Sequence, residues 1–275
     1  MKTINITNPE KIIDKKSKAT KFDVAKYYSE ISSLILPHLT NRLLSVIRCH
    51  DNIKKECFFK KHPSNDKDMV ELFNDEGQEY FYIKTKEQLI YQVQMGILEF
   101  HPWASNINKQ NSPDVMIFDL DPAEKLPHEQ LIQGVLDLKS ILDKLHLQSF
   151  VKTSGGKGYH IVVPFLPTSD WNKFSTFASS VATLLESNKP HLYTTNIRKK
   201  DRKGKIFIDW LRNKRGSTCA CAYSIRAREN LPISFPIDWR EIDKIKPNEI
   251  DINNYKLYTK HNPWKHFFEI KQKLK

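Results

Sequence analysis

The sequence predicts an α+β fold in which the sheet carries the functional residues. Segments typical of strands and of helices are mixed along the chain without strict β-α-β alternation, so a purely parallel α/β sheet is not expected. No internal repeat and no linker rich in Gly, Ser or Pro divides the chain. With 275 residues, of which 39% are hydrophobic and 28% charged, the chain is long enough and apolar enough to form a folded core.

Composition and cysteine content bear on the compartment in which the protein is expected and on the kind of partner that it is expected to bind. No apolar run approaches the roughly 20 residues of a membrane span, and the N-terminal "MKTINITNPEKII" lacks the apolar core of a signal peptide. Cys49, Cys57, Cys219 and Cys221 form no paired CxxC framework, so we expect reduced thiols in a cytoplasmic protein, and packing rather than metal binding for the last two. The net charge of +12 favours a polyanionic partner, with nucleic acid ahead of an anionic membrane.

The first elements are a capped helix and a pair of strands. Thr20 and Asp23 have the spacing of a capping box before "VAKYYSEISSLIL", and Pro37 is expected to end that helix. The segments "SVIRCH" and "ECFFKKH" are typical of two strands joined by a turn around "DNIKK".

A further strand and a second capped helix follow. "YFYIK" is typical of a strand. Thr85 and Gln88 have capping-box spacing for a helix that runs to Met95, with Gly96 as its stop signal.

Along the rest of the chain, predicted strands and helices follow one another in a less regular order. A strand is predicted from Val115 to Leu120, and then one apolar helix face is formed by Leu131, Ile132, Val135, Leu138, Leu142 and Leu145. "SFVKT" and "YHIVVP" are typical of strands joined by the glycine turn "SGGKG". Trp171 to Leu185 is predicted to be helical, and "KIFIDW" and "CAYSIRA" are the remaining predicted strands.

The strand "VMIFDLDP" ends in two acids, which is unusual for a core strand. Asp119 and Asp121 are two residues apart and therefore point to the same side, and Pro122 places them at the rim of the sheet. Asp209 has a similar apolar context in "KIFIDWLRN". Three such carboxylates suit two Mg²⁺ or Mn²⁺ ions about 3.5 to 4 Å apart, the arrangement of phosphoryl transfer. The alternative is that each acid caps a turn or pairs with a surface lysine.

The glycine-rich stretch "KTSGGKGYH" favours a phosphate site. Gly155, Gly156 and Gly158 allow positive φ and close approach of the backbone to a ligand, and successive N–H groups in such turns suit phosphate oxygens. The glycine-rich stretch and the segment "YSIRARE" also contain polar side chains that could contact a triphosphate: Ser154, Lys157, His160, Arg226 and Arg228. The pattern is neither a P-loop nor a dinucleotide-binding motif. An ordinary hairpin turn is the alternative.

Two further segments have features of DNA contacts. Between residues 196 and 216 there are nine basic residues against two acids, which is a candidate phosphate-backbone track or else a solvated loop. In "CFFKK", Phe58 and Phe59 face opposite ways on a strand, so one is a candidate stacking surface for a base, with burial of both in the core as the alternative.

These motifs together resemble a known family. "EFHPW", "FDLDP", "KTSGGKGYH", "KIFIDWLRN" and "AYSIRARENLPIS" occur in that order, and "ITNPEKII", "TKFDVAKYY", "LPHLTNR" and "ECFFKKH" extend the likeness to the N-terminus. The set closely resembles the polymerase domain of bacterial DNA ligase D, in the archaeo-eukaryotic primase superfamily, over essentially the whole chain. One departure is "RCHDN", where relatives often have Arg-x-Pro-Asp-Gly, so DNA contacts in that loop are not carried over.

The resemblance implies an archaeo-eukaryotic primase-type fold, with an RRM-like catalytic sheet plus an N-terminal α/β subdomain. Residues 1–275 would form one catalytic domain, with an N-terminal part over about 1–110 and the catalytic part over 111–275. It also implies template-directed nucleotide addition in non-homologous end joining, using two Mn²⁺ or Mg²⁺ ions and NTPs or dNTPs, with ribonucleotides favoured. The implied partners are DNA with breaks, gaps or 3′ overhangs bearing a 5′-phosphate, together with Ku and a DNA ligase. The implied location is the nucleoid of a bacterium or archaeon, away from membranes.

The resemblance also implies roles for individual residues. The metal ligands would be Asp119, Asp121 and Asp209. The nucleotide contacts would be Ser154, Lys157 and His160, with His101, Arg226 and Arg228 nearby. The DNA contacts would be Lys11 and Lys21 at the 5′-phosphate, Phe58 and Phe59 at the template base, and Arg48 and Arg202. No ligase or phosphoesterase segment is present, which leaves a stand-alone polymerase and an excised domain as alternatives.

Three other functions remain as alternatives. A replicative-type primase of the same superfamily would start chains without a 5′-phosphate-bearing end. A catalytically silent DNA-end-binding module would not need three acids beside DNA. A metal-dependent nuclease would also use clustered acids, but the glycine turn with its polar groups fits a triphosphate better.

Overall fold

The computed structural model describes residues 4–63 and 69–274. The helices are α1 (Lys21–Glu30), α2 (Ser32–Leu39), α3 (Lys86–Gln94), α4 (His128–Lys144) and α5 (Trp171–Asn188). The first strands are β1 (Ile12–Asp14), β2 (Ala19–Thr20), β3 (Leu44–Cys49), β4 (Cys57–Lys60), β5 (Glu71–Asp75), β6 (Gln78–Tyr82), β7 (Ile97–Pro102) and β8 (Val115–Pro122). The others are β9 (Phe150–Thr153), β10 (Tyr159–Pro164), β11 (Tyr193–Thr194), β12 (Ile206–Asp209), β13 (Ser224–Ile225), β14 (Ile233–Ser234) and β15 (Pro236–Ile237). This mixture confirms the α+β prediction.

The chain divides into two compact units. Unit 1 comprises Met1–Asn108, Thr218–Phe235 and Ile250–Lys260, and unit 2 comprises Lys109–Ser217, Pro236–Glu249 and His261–Lys275. Unit 1 is therefore assembled from three separate segments of the chain. Among the helices described, none combines the length and the apolar character needed to cross a bilayer.

Unit 1 is built on a three-stranded antiparallel sheet of order β4-β3-β7. Helix α1 starts where predicted, because the Thr20 side chain accepts from the Asp23 N–H while the Asp23 carboxylate accepts from the Thr20 N–H. The buried Tyr28 hydroxyl donates to the Leu98 carbonyl and accepts from the Ile225 N–H. These bonds attach β13 to the core of the unit, so residues 218–235 belong there despite their distance in sequence.

Two expectations for unit 1 are wrong. The first helix does not run unbroken to Pro37: α1 ends at Glu30, and Pro37 lies inside α2. The chain breaks at Ile31 and restarts, so Pro37 costs only the backbone bond that its missing N–H would have made within a short helix. The expectation of four reduced thiols is also wrong, because Cys49 and Cys57 face each other on β3 and β4 and form a disulfide. Cys219 and Cys221 are buried and lie outside this disulfide, as expected.

Unit 2 is built on a six-stranded sheet of order β11-β12-β8-β10-β9-β15. All neighbouring strands are antiparallel except β11 and β12, which are parallel. Phe118 and Leu120 of β8 are fully buried, and α4 presents Leu131, Val135, Leu138 and Leu142 as a buried face. Helix α4 packs closely on the sheet, since a Cβ at Gly134 would lie 2.8 Å from the Ile206 side chain. Because side chains alternate along a strand, the other face of β8 carries Asp119 and Asp121.

Candidate active site

Four polar side chains form a row across the sheet of unit 2. Strand register pairs Asp209 with Asp119, Asp119 with His160, and His160 with Lys152. Residues directly opposite each other in adjacent antiparallel strands share a face with their Cβ atoms about 5 Å apart. The row therefore crosses β12, β8, β10 and β9, and we call it the polar row (Asp209, Asp119, His160 and Lys152).

The acids of this face are held close together in a buried setting. Asp119 is 8% exposed and Asp209 is 7% exposed. Burial raises the pKa of Asp121 to about 6, with further contributions from the negative charges of Asp119 and Asp209. The pKa of Asp209 is also raised, mainly by burial, although Arg212 opposes the shift. Carboxylates that repel each other in this way gain stability from a bound cation.

The donor set fits a hard divalent cation. Three carboxylates supply the oxygen ligands that Mg²⁺ and Mn²⁺ prefer. Within residues 4–63 and 69–274, however, no group of three or more His, Cys, Asp or Glu side chains is already arranged to hold a metal ion. Asp209 has partners of its own: its Oδ2 lies 2.9 Å from Arg212 Nη2, and its Oδ1 accepts from the Leu211 N–H at 3.0 Å.

His160 and Lys152 complete the polar row on the side away from Asp209. His160 Nε2 lies 3.4 Å from Asp119 Oδ1, and its Nδ1 lies 2.5 Å from the Lys152 ammonium. His160 therefore lies between the carboxylate of Asp119 and the side chain of Lys152. Sequence analysis missed Lys152, which is 2% exposed. Its position two residues before Ser154 on a predicted strand was the available signal.

The glycine turn is shaped by two of its three glycines. Gly155 has a φ of +65°, whereas Gly156 and Gly158 do not adopt positive φ, so that expectation is wrong for them. The Ser154 hydroxyl accepts from the N–H groups of Gly156 and Gly158 at 3.0 and 3.2 Å. Gly158 is required for another reason: a Cβ there would lie 1.9 Å from the Leu120 carbonyl oxygen, between the two acids of β8.

We predict that Gly158→Ala lowers stability and primer extension together. The new methyl group would collide with the backbone of β8, which cannot move without displacing Asp119 and Asp121. Such overpacking costs about 1 to 3 kcal/mol. The measurement is thermal unfolding followed by circular dichroism, with extension assayed below the melting temperature. Equal stability of Gly158→Ala and wild type would contradict the prediction.

Lys157 lies at the exposed tip of the turn. Its ammonium group is 3.7 Å from Glu124, and both side chains are largely exposed. Such an exposed pair is weak and leaves the lysine able to change partners. The structure thus brings Ser154, Lys157 and His160 together with the acids of β8 and β12 within unit 2.

The other predicted nucleotide contacts lie in unit 1. His101 Nε2 and Arg226 Nε lie 2.8 and 2.9 Å from the same oxygen of Glu99. Arg228 is exposed and does not share this arrangement. Sequence analysis missed Glu99, although its i, i+2 spacing with His101 in "EFHPW" places both on one face of β7.

Three predicted DNA contacts line one cavity of unit 1. Lys11, Lys21 and Arg48 are among the residues around a cavity of about 200 Å³, which we call the basic cavity. Burial lowers the pKa of Lys21, and the nearby charge of Lys11 lowers it further. Arg48 Nε is buried without a hydrogen-bond partner among the described residues. Lys11 lies 3.4 Å from Asp51.

The remaining predicted DNA contacts differ in exposure. Phe59 is 48% exposed, which rules out core burial of both phenylalanines, and its ring lies 6.1 Å from the ring of His101. Phe58 is half-buried and packs 5.3 Å from the ring of His50. Arg202 is occupied within its own loop: it donates to the carbonyls of Asn196 and Ile197 and stacks on the ring of Phe207.

Comparison with known proteins identifies the family. Residues 20–264 match the primase-polymerase domain of LigD. The chain is 36% identical over 248 residues to the multifunctional non-homologous end joining protein LigD of Pseudomonas aeruginosa, covering 88% of this chain and 30% of the relative. It is 32% identical over 241 residues to the bifunctional non-homologous end joining protein LigD of Bacillus subtilis, covering 87% of this chain and 39% of the relative. The chain thus spans about a third of the length of these relatives.

A solved structure shows the same fold. The polymerase domain of Mycobacterium tuberculosis ligase D, in complex with DNA, superposes with a TM-score of 0.87 at 24% identity and covers 96% of both chains. This likeness confirms the predicted primase-polymerase type of fold. The chain therefore belongs to the LigD primase-polymerase domain family, whose homologues are nucleotidyltransferases.

Proposed function

We propose that this chain is a template-directed nucleotidyltransferase that fills gaps and extends ends at DNA double-strand breaks. The observation that carries the proposal is the polar row, with Asp121 and the glycine turn attached to the same strands. The relatives are named for non-homologous end joining, and the similar domain of Mycobacterium tuberculosis is described in complex with DNA. DNA ends are therefore the proposed substrate, with Ku and a DNA ligase as proposed partners.

The three aspartates would hold two metal ions. Mn²⁺ or Mg²⁺ would supply Lewis-acid chemistry, by neutralising phosphate charge and lowering the pKa of the attacking 3′-hydroxyl. The protein contributes the positions of Asp119, Asp121 and Asp209, which the paired strands fix on one face. His160, whose Nε2 lies 3.4 Å from Asp119 Oδ1, would orient that carboxylate from the neighbouring strand.

The glycine turn and the basic side chains would bind the triphosphate. In the reaction the 3′-oxygen forms a bond to the α-phosphorus, the bond from that phosphorus to the β-phosphate breaks, and pyrophosphate leaves. The Lys157 ammonium at the tip of the turn would offset charge on the β- and γ-phosphates. By resemblance to the family, His101 and Arg226 of unit 1 are also proposed nucleotide contacts.

The basic cavity is the proposed site for the 5′-phosphate of the downstream strand. Burial and the nearby charge of Lys11 lower the pKa of Lys21, and Arg48 brings a third cation to the cavity. A terminal phosphate carries nearly two negative charges, so it relieves this repulsion better than an internal diester does. This site separates the proposal from a replicative-type primase, which needs no such end.

Primer extension on a gapped duplex tests the proposal. The duplex carries a 3′-hydroxyl primer and a downstream 5′-phosphate, and it is incubated with Mn²⁺ and each NTP or dNTP in turn. We expect templated extension, with ribonucleotides incorporated at least as well as deoxyribonucleotides, because members of the family that the sequence resembles favour ribonucleotides. A strong dNTP preference would contradict the ribonucleotide part alone.

Other outcomes of the same assay favour the alternatives. Binding of the duplex without any extension would indicate a silent end-binding module. Shortening of the primer would indicate a nuclease. Synthesis on single-stranded DNA without a primer, equal with and without a 5′-phosphate, would indicate a primase.

A further inference from the structure

A buried acid of unit 1, Glu99, has no role in the function proposed above. It lies on β7 and is 5% exposed. Its Oε2 accepts hydrogen bonds from His101 Nε2 at 2.8 Å and from Arg226 Nε at 2.9 Å. Its Oε1 accepts from the Ala227 N–H at 2.7 Å. One carboxylate therefore binds a side chain of its own strand and both a side chain and a backbone N–H of one distant segment.

This arrangement keeps Glu99 charged despite its burial. Burial by itself would raise the pKa of Glu99, but the hydrogen bond and charge of His101, the charge of Arg226 and the Ala227 N–H together lower it to about 2. Proteins in which a buried ion pair is replaced by apolar side chains of similar volume are often as stable as the original. A buried acid of this kind therefore contributes little net stability to the fold. Stability alone is thus a weak reason for placing Glu99 here.

The partners of Glu99 suggest another reason. His101 is two residues away on the same strand face, whereas Arg226 is 127 residues away and follows β13. Both are residues proposed to contact the incoming nucleotide. The ring of His101 also lies 6.1 Å from the exposed ring of Phe59, a proposed contact of the template base.

We propose that Glu99 is a positioning residue for the incoming nucleotide, fixing His101 and Arg226 in one orientation before the nucleotide binds. The inference rests on the proposed function. A guanidinium group and an imidazole ring that are already oriented lose less conformational freedom on binding a phosphate or a ribose. Loss of Glu99 should therefore weaken nucleotide binding more than it slows the chemical step, because the carboxylates of unit 2 are unchanged.

Steady-state primer extension of Glu99→Gln tests this inference. We expect the KM for the nucleotide to rise about tenfold or more, as for loss of a charge-assisted hydrogen bond, with a smaller fall in kcat. Glu99→Asp, which keeps the charge but shortens the side chain, should give an intermediate KM and serves as the second variant if Glu99→Gln is poorly folded. Circular dichroism and thermal melting establish that each variant is folded.

A comparison in a background without the partners separates positioning from a general structural role. When Glu99→Gln is added to His101→Ala/Arg226→Ala, the KM should change less than about twofold, since residues that act through each other are not additive. Glu30→Gln is the matched control, because Glu30 also accepts bonds in unit 1, from Tyr255 and Lys256, outside the proposed site. Its KM should equal that of wild type.

Each contradicting result would lead to a different conclusion. A wild-type protein that does not extend primers overturns the proposed function, and this inference with it. A wild type that extends, together with folded Glu99→Gln of unchanged KM, overturns the inference alone. A KM increase of the same size in the background lacking His101 and Arg226 would also overturn it, since Glu99 would then act through other groups.

Discussion

Asp119→Ala, Asp121→Ala and Asp209→Ala are each expected to abolish primer extension while leaving DNA binding intact. Each change removes one anionic oxygen donor from a face where three acids lie close together. Metal ions in such sites supply several kcal/mol of transition-state stabilisation, so the loss should be about a hundredfold or more. The measurements are extension of a gapped duplex with Mn²⁺ and, separately, binding of the same duplex by fluorescence anisotropy.

Asp238→Ala is the matched control for these variants. Asp238 directly follows β15 of the same sheet, but it pairs with Arg240 and lies outside the polar row. Its replacement should leave extension close to the wild-type rate. Normal extension by Asp209→Ala would remove that residue from the proposed metal site, and loss of DNA binding in all three variants would point to a folding defect instead.

Lys11→Ala/Lys21→Ala is expected to lose most of the preference for a 5′-phosphorylated end. Both ammonium groups border the basic cavity, and burial together with the Lys11 charge lowers the pKa of Lys21. Two charge-assisted contacts to a terminal phosphate are worth roughly 1 to 3 kcal/mol, or about five- to a hundredfold in affinity. The comparison is binding to two gapped duplexes, one with a 5′-phosphate and one with a 5′-hydroxyl, at moderate salt.

Lys15→Ala/Lys26→Ala is the control for the loss of two positive charges. These exposed lysines come from the same part of the chain but do not line the cavity. Their loss should weaken binding of both duplexes alike, through the general attraction of DNA to positive charge. Should wild type bind both ends equally, the recognition of the 5′-phosphate fails and the primase alternative gains support.

The parts of the site that depend on local pattern were predictable. Asp119 and Asp121 share a face because side chains alternate along any strand, and the capping box at Thr20 needs only a spacing of three residues. The positions of Lys152 and Glu99 depend instead on which strands pair and in which register. The predicted glycine turn places β9 beside β10 but does not give the register that sets Lys152 opposite His160, and no local signal shows that the chain returns to place Arg226 at Glu99.

The predictions for Pro37 and for the thiols of Cys49 and Cys57 were wrong because each outcome depends on structure outside the residue or motif concerned. Pro37 is tolerated inside α2 because the chain had already broken at Ile31, in a helix that buries Ile35 and Leu39 completely. The Cys49–Cys57 disulfide depends on β3 and β4 pairing in a register that places these residues opposite each other. Compartment arguments from composition do not contain that information.

The polar row also limits how this chain can change in length during evolution. Side chains alternate between the two faces of a strand. If one residue were inserted or deleted inside β8, β10 or β12, the polar side chain of that strand would move to the opposite face, which packs on α4. No single substitution restores the row after such an event. We therefore expect sequences that descend from a common ancestor with this chain to vary in length at segments such as 165–170 and 195–205, and to keep the residue count within these three strands fixed.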